Sequence, residues 1–224
     1  MFNMLKQAHA IVKAVGIESR LSANTRLILS EYKTADYMEK QIVGLVRGVY
    51  SGAVGGDFID IMANLISGQL TAAFATAYTD EGYDGALPDF LDAALTQMVV
   101  DQYTFVDQYY KDIVDARLDG TPVEPLLSRA GMWANQWNAA YNEAIRLMAA
   151  EYGGNLMWIL GEADHCETCL ALNGIVASGV EWDESGWQPQ SQDLQCHGYN
   201  CACSLVTTSQ RRTRGAAGIL AGIS

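Results

Sequence analysis

Asp164-His-Cys-Glu-Thr-Cys-Leu-Ala-Leu-Asn-Gly174 and, further on, Leu194-Gln-Cys-His-Gly-Tyr-Asn-Cys-Ala-Cys-Ser-Leu205 hold all five cysteines of a 224-residue chain. Small buried hydrophobes scatter along a sequence, whereas thiols gathered like this share one task. Cys166 and Cys169 form a C-x2-C knuckle, a spacing that lets two thiolates approach one ion while backbone N–H groups donate to the sulfurs. Cys196, Cys201 and Cys203 follow after an excursion, 170–195, long enough for a hairpin carrying Trp182 and Trp187.

Four thiolates around one zinc ion close the tetrahedron and leave no position for water, which marks a structural site. The expected ligand set is Cys166, Cys169, Cys201 and either Cys196 or Cys203, with His165 and His197 as weaker substitutes. A small sheet buries too little apolar surface to hold itself, whereas structural zinc contributes on the order of 10 kcal/mol of folding free energy. Two disulfides plus a free thiol would need an oxidising setting that nothing else in the chain supports. A thioredoxin-like C-x2-C would need a surrounding βαβ pattern, which is missing.

His165-Cys166-Glu167 also fits the H-x-E half of the zinc deaminase signature, with Glu167 as the acid/base. The P-C-x-x-C half fails, because Gln195 precedes Cys196 and Cys201 stands too far along. No P-loop, H-E-x-x-H, G-x-S-x-G or G-x-G-x-x-G is present, and three histidines leave few general bases. A non-enzymatic chain is expected.

Before Asn155 the apolar residues repeat at helical spacing. Met4, Leu5, Ala8, Ile11, Val12 and Val15 predict a first helix stopping at Gly16. After a cap at Ser22 or Asn24, the stripe Ala35, Met38, Ile42, Leu45, Val46, Val49 predicts a long helix ending at Gly52, Gly55 and Gly56. Asp57 then caps a third helix through Phe58, Ile61, Met62, Leu65, Ile66, Leu70, Ala73 and Phe74. The polar loop 79–88 holds Asp80, Glu81 and Asp84 but lacks the calcium-loop pattern. Pro88 opens a fourth helix carried by Leu91, Leu95, Met98, Val106, Tyr109 and Ile113 to Gly120. After a linker, 121–125, a fifth helix puts Leu127, Ala130, Trp133, Trp137, Tyr141, Ile145 and Met148 on one core-facing side and stops at Gly153 and Gly154. The run Leu156 to Leu160 suits a strand. The expected fold is mainly α: an N-terminal helix (1–20), a helical body (21–154), a zinc-binding β-hairpin module (155–206), together α+β, and a tail (207–224) that needs a partner surface to be ordered.

The net charge of −12 argues against a broad surface for nucleic-acid phosphates. Only Arg211, Arg212 and Arg214 form a basic cluster, read as a solvated tail with a weak DNA or acidic-partner contact as the alternative. No run approaches the 18 or so apolar residues of a membrane span, and the start lacks a signal-peptide cleavage pattern, so synthesis in a reducing cytoplasm is expected.

Two segments together resemble the phage Mu F-like minor head proteins, the phage head morphogenesis family. One is the arginine- and tryptophan-bearing helix beginning Ser128-Arg-Ala-Gly-Met-Trp-Ala-Asn-Gln-Trp-Asn. The other runs from Trp158 to Gly161, through the knuckle to Gly174, then Trp182, Pro189 and the closing Asn200-Cys-Ala-Cys-Ser-Leu205. Many members place a His-Pro pair just before the C-x-C, where this chain has Cys196-His197-Gly198, which makes Cys196 the candidate third ligand. The resemblance covers about half of the chain. It implies a virion protein, present in few copies, that associates with the portal or inner capsid (major capsid protein) during head assembly and bears on genome packaging or ejection; a homo-oligomer is a separate expectation. The readings from other classes are a zinc-dependent nucleotide or nucleic-acid enzyme using Glu167, and a host zinc-containing adaptor that binds partner helices.

Overall fold

The computed structural model describes residues 35–199 and 201–223. The expected helix 1–16 and the caps at Ser22 and Asn24 lie outside these residues. The fold is mainly helical with a small antiparallel sheet near the C-terminus, as the periodicity predicts. The chain divides into two compact units, the first made of residues 35–75 and 85–137, the second of 76–84 and 138–223. The division therefore falls at Trp137 and not at the change of period near Asn155, so the C-terminal half of the fifth predicted helix belongs with the cysteines.

In the first unit, α1 (Ala35–Ser51) buries Met38, Ile42, Val46 and Val49. The helix α2 (Asp57–Asp80) buries Phe58, Met62, Ile66, Leu70 and Phe74; Asp57 stands in its first turn, where a carboxylate favours the exposed N–H groups. By length and composition α2 could cross a membrane, but its apolar stripe is spent on this chain's own core. The predicted fourth helix is broken in two: α3 (Asp89–Tyr103) and α4 (Val106–Asp119). Neither glycine nor proline announces the break. Instead Thr104 Oγ1 donates to the Asp101 carbonyl at 2.7 Å, and the Thr104 N–H turns back to the same residue, so the last turn tightens and the ladder stops.

The first part of α5 (Glu124–Tyr152) completes this unit, with Pro125 in the first turn where a missing N–H costs nothing. Tyr109 is its centre. Its ring meets Phe58 edge-on at 6.1 Å and stacks on Trp133 at 6.2 Å, Arg129 sits 4.6 Å above its centroid, and its hydroxyl donates to the Leu126 carbonyl at 2.6 Å. Burial pushes the phenol pKa up to about 12 despite the guanidinium.

The second unit is built on β1 (Asn155–Ile159), the middle strand of a sheet ordered β2-β1-β3, with both pairings antiparallel. Its alternation buries Leu156 and Trp158. The helix α6 (Glu167–Leu172) leads to β2 (Val176–Ser178), and α7 (Gly179–Ser185) follows at once. The predicted hairpin around Trp182 and Trp187 is replaced by α7, because Ser178 and Glu181 form a reciprocal capping box that starts a helix there. Trp182, fully buried, lies 5.9 Å from Trp158 and donates its indole N–H to the Leu156 carbonyl.

The predicted tail, 207–224, is also corrected. Thr207 and Thr208 end β3 (Ser204–Thr208), Thr213 exchanges hydrogen bonds with Val176 on β2, and α8 (Ala216–Gly222) buries Ala216 and Leu220. The partner surface that the segment needs is the module itself, through Trp187 Nε1 to the Leu220 carbonyl.

Gly179 lets β2 and α7 meet α5. A Cβ there would stand 2.1 Å from the Ala149 carbonyl carbon and 2.3 Å from the Ala150 nitrogen, both backbone atoms that cannot move away alone. Gly179→Ala is expected to destabilise the protein by roughly 2 kcal/mol or more, read as a lower midpoint in urea unfolding.

Candidate metal centre

The C-x2-C knuckle sits on the start of α6. Cys166 is its N-cap, and its sulfur accepts from the Cys169 N–H at 3.5 Å, the kind of N–H to sulfur contact that steadies a thiolate. Leu172, one turn on from Cys169, anchors this short helix in the core. The second half arrives on the loop that leads into β3. Gln195 ties the halves together, accepting from the Glu167 N–H through Oε1 and donating its own N–H to Thr168 Oγ1.

All five cysteines are free thiols and all five come together. They form two triples, each with its sulfurs within 4.8 Å of one another: Cys166, Cys169 and Cys196, half-exposed apart from Cys169, and Cys169, Cys201 and Cys203, all buried. The structure thus leaves no outlying cysteine and makes Cys169 common to both sets. Of the two histidines expected as substitutes, His165 Nδ1 lies 3.7 Å from Cys203 Sγ, while His197 is exposed and turns to the Gln192 carbonyl.

Electrostatics single out one sulfur in each triple. Cys201 is lowered to about 5, chiefly because the Cys203 thiol donates to it, and the same contact raises Cys203. Burial pushes Cys166 up, but the N–H groups and thiols of Cys169 and Cys196 more than offset this and hold it below the usual thiol value. Cys169 and Cys196 are raised, in each case by burial first. In each triple one sulfur is thus held below the usual thiol value, and a bound cation would draw off the remaining protons.

Two residues that sequence reasoning missed shape this site. Asn142 on α5 and Gln190 in the loop are buried amides. Asn142 Nδ2 donates to Gln190 Oε1 at 2.9 Å, Gln190 Nε2 donates to the Cys201 and Cys203 carbonyls at 3.0 and 2.7 Å, and Asn142 Oδ1 accepts from the Leu205 N–H at 2.8 Å. The closing C-x-C is held by its backbone, which leaves its sulfurs to a ligand. Gln190 adopts a left-handed φ of 63°, and Gly198, at φ 72°, packs so closely on it that a Cβ would come 2.2 Å from the Gln190 carbonyl oxygen. Neither residue carried a signal: Asn142 shares its side of the helix with Asn135, Asn138 and Arg146, and Gln190 lies in a loop.

Sequence-family profiles, curated proteins and solved structures give no match to this chain. The coarse conclusion stands on geometry: the cysteine cluster could hold a metal ion.

Asn142→Leu would strand the Leu205 N–H and the Gln190 carboxamide in a buried place. It is expected to cost about 2–3 kcal/mol in unfolding and to weaken metal binding roughly 10- to 100-fold in a chelator competition.

Proposed function

We propose that the chain is a non-enzymatic structural protein of a tailed-phage head, whose C-terminal unit is locked by thiolate-bound zinc. The convergence of all five thiols on one place carries the metal half of this reading. Thiolate-rich, buried donor sets suit zinc, and the reducing setting expected for the chain favours zinc over disulfides. The phage assignment rests on the likeness of the Trp133 helix and the cysteine array to the head morphogenesis proteins; portal, capsid and further copies of this chain are the proposed partners.

The structural role is favoured by Glu167. Its side chain is exposed at the start of α6, and its N–H is engaged by Gln195, so among the described residues this carboxylate stands at the surface. Arg211, Arg212 and Arg214 line a cleft of about 880 Å³ with Glu181, to which Arg212 is paired, and they are the proposed point of any DNA contact.

Purified protein is expected to carry at least one equivalent of zinc; less than half an equivalent with the thiols paired as disulfides overturns the metal half. Glu167→Gln should leave folding, zinc content and head assembly unchanged, and a loss of assembly with normal folding would favour the enzyme reading. Cation binding depresses the thiol pKa values of the folded state, so the stability it contributes is complete above the ordinary thiol value of about 8.5 and is lost as pH falls. Zinc release followed with a chromogenic chelator should accordingly rise on acidification and not on moderate alkalinisation.

A further inference from the structure

We propose that the cluster is a two-ion centre, in which the Cys169 thiolate bridges two divalent d10 ions, zinc in the cell. This inference rests on the metal reading above and settles how five thiols share the work.

A single tetrahedral zinc with bonds of ~2.3 Å holds its four sulfurs about 3.8 Å apart in every pairing. Among the described residues no four sulfurs all lie within 4.8 Å of one another, whereas two sets of three do, and they meet at one atom. One ion placed in either triple leaves two thiols of the other without a role. Two ions use all five, because a thiolate sulfur has lone pairs enough to bind a cation on each side. Cys169 is the sulfur placed to do so, 1% exposed and carried by the first turns of α6 between the knuckle partner Cys166 and the incoming C-x-C. Two divalent ions also nearly cancel the charge of five thiolates, which a buried cluster requires.

His165 stands at the edge of the buried triple, against Cys203, and becomes its fourth donor only if the ring moves inward when the ion binds. Its Nε2 lies 2.9 Å from the Gly161 carbonyl oxygen, which can only accept, so Nε2 carries a proton and Nδ1 is the ring nitrogen that faces the cysteines. Nδ1 stands 3.7 Å from Cys203 Sγ, close to the separation of about 3.6 Å that nitrogen and sulfur take across one tetrahedral zinc. Gly161 holds this ring near the C-x-C by its own lack of a side chain: a Cβ there would fall 2.1 Å from the Ala202 carbonyl oxygen. The ion of the other triple has Cys166, Cys169 and Cys196, and its fourth place opens to solvent on the side where Cys166 and Cys196 are part-exposed.

The test uses the full chain, reconstituted without oxygen. Zinc analysis is expected to give two equivalents, and exchange with cadmium-113 two resonances that split each other through the Cys169 sulfur. Cys166→Ser combined with Cys196→Ser should retain one equivalent in the buried triple, and His165→Gln should shift the resonance of that ion only. One equivalent and one resonance in the unaltered chain overturns the two-ion centre and leaves the single structural ion standing. Two resonances without mutual splitting overturn the Cys169 bridge, and no bound metal with all thiols reduced overturns both readings. The cadmium spectrum of the unaltered chain decides the matter even if a variant fails to fold.

Discussion

The hydrogen bond from Asn142 to Gln190 is the contact on which the cysteine-bearing unit depends. Each of these amides is buried, and each uses both ends: Asn142 also bonds the Asn138 carbonyl and the Leu205 N–H, Gln190 also bonds the carbonyls of Cys201 and Cys203. A network satisfied at every member gains from the low dielectric around it, whereas one missing partner turns the same burial into a penalty. Through Leu205 it fixes where β3 enters the sheet opposite Trp158, and through the two carbonyls it fixes the backbone from which the last sulfurs project.

That backbone would otherwise have little to hold it. The sheet has three short strands, and the largest buried apolar side chains of its unit are Trp158 and Trp182. An ion bound by thiols from α6 and from the loop before β3 would close the excursion between them, which apolar burial alone on this scale does poorly. The aromatic pair and the thiol cluster would thus be complementary: one orders β1 and α7, and an ion in the other would order the loop that neither strand reaches.

Much of this was legible. The helical stripes of Met38 to Val49 and Phe58 to Phe74 bury most of the residues that periodicity assigned, Ile61 being exposed and Leu65 half-buried, and the shift to strand at Leu156 fell within a residue of its observed place. The gathering of the cysteines followed from their clustering in sequence. What escaped was short-range chemistry without a hydrophobic period: the Thr104 hydroxyl that ends α3, the Ser178 and Glu181 box that makes a helix of an expected hairpin, and the Thr213 contact that brings the last residues onto β2. The Asn142 and Gln190 network escaped for another reason. It joins residues 48 positions apart, and no local pattern encodes such a pairing.

The second unit is also discontinuous. Residues 76–84 belong to it, with Tyr83 between Tyr78 and Tyr152, Asp80 accepting from Tyr141 and Glu81 from Thr207, a bond that spans 126 positions. Contacts of such sequence separation are entropically late, since the chain between them must be ordered before they repay its closure. A nascent chain therefore carries the 76–84 segment for most of its length before the strand that it meets exists, and the cysteine half cannot be cut out as a contiguous fragment without leaving part of its own packing behind.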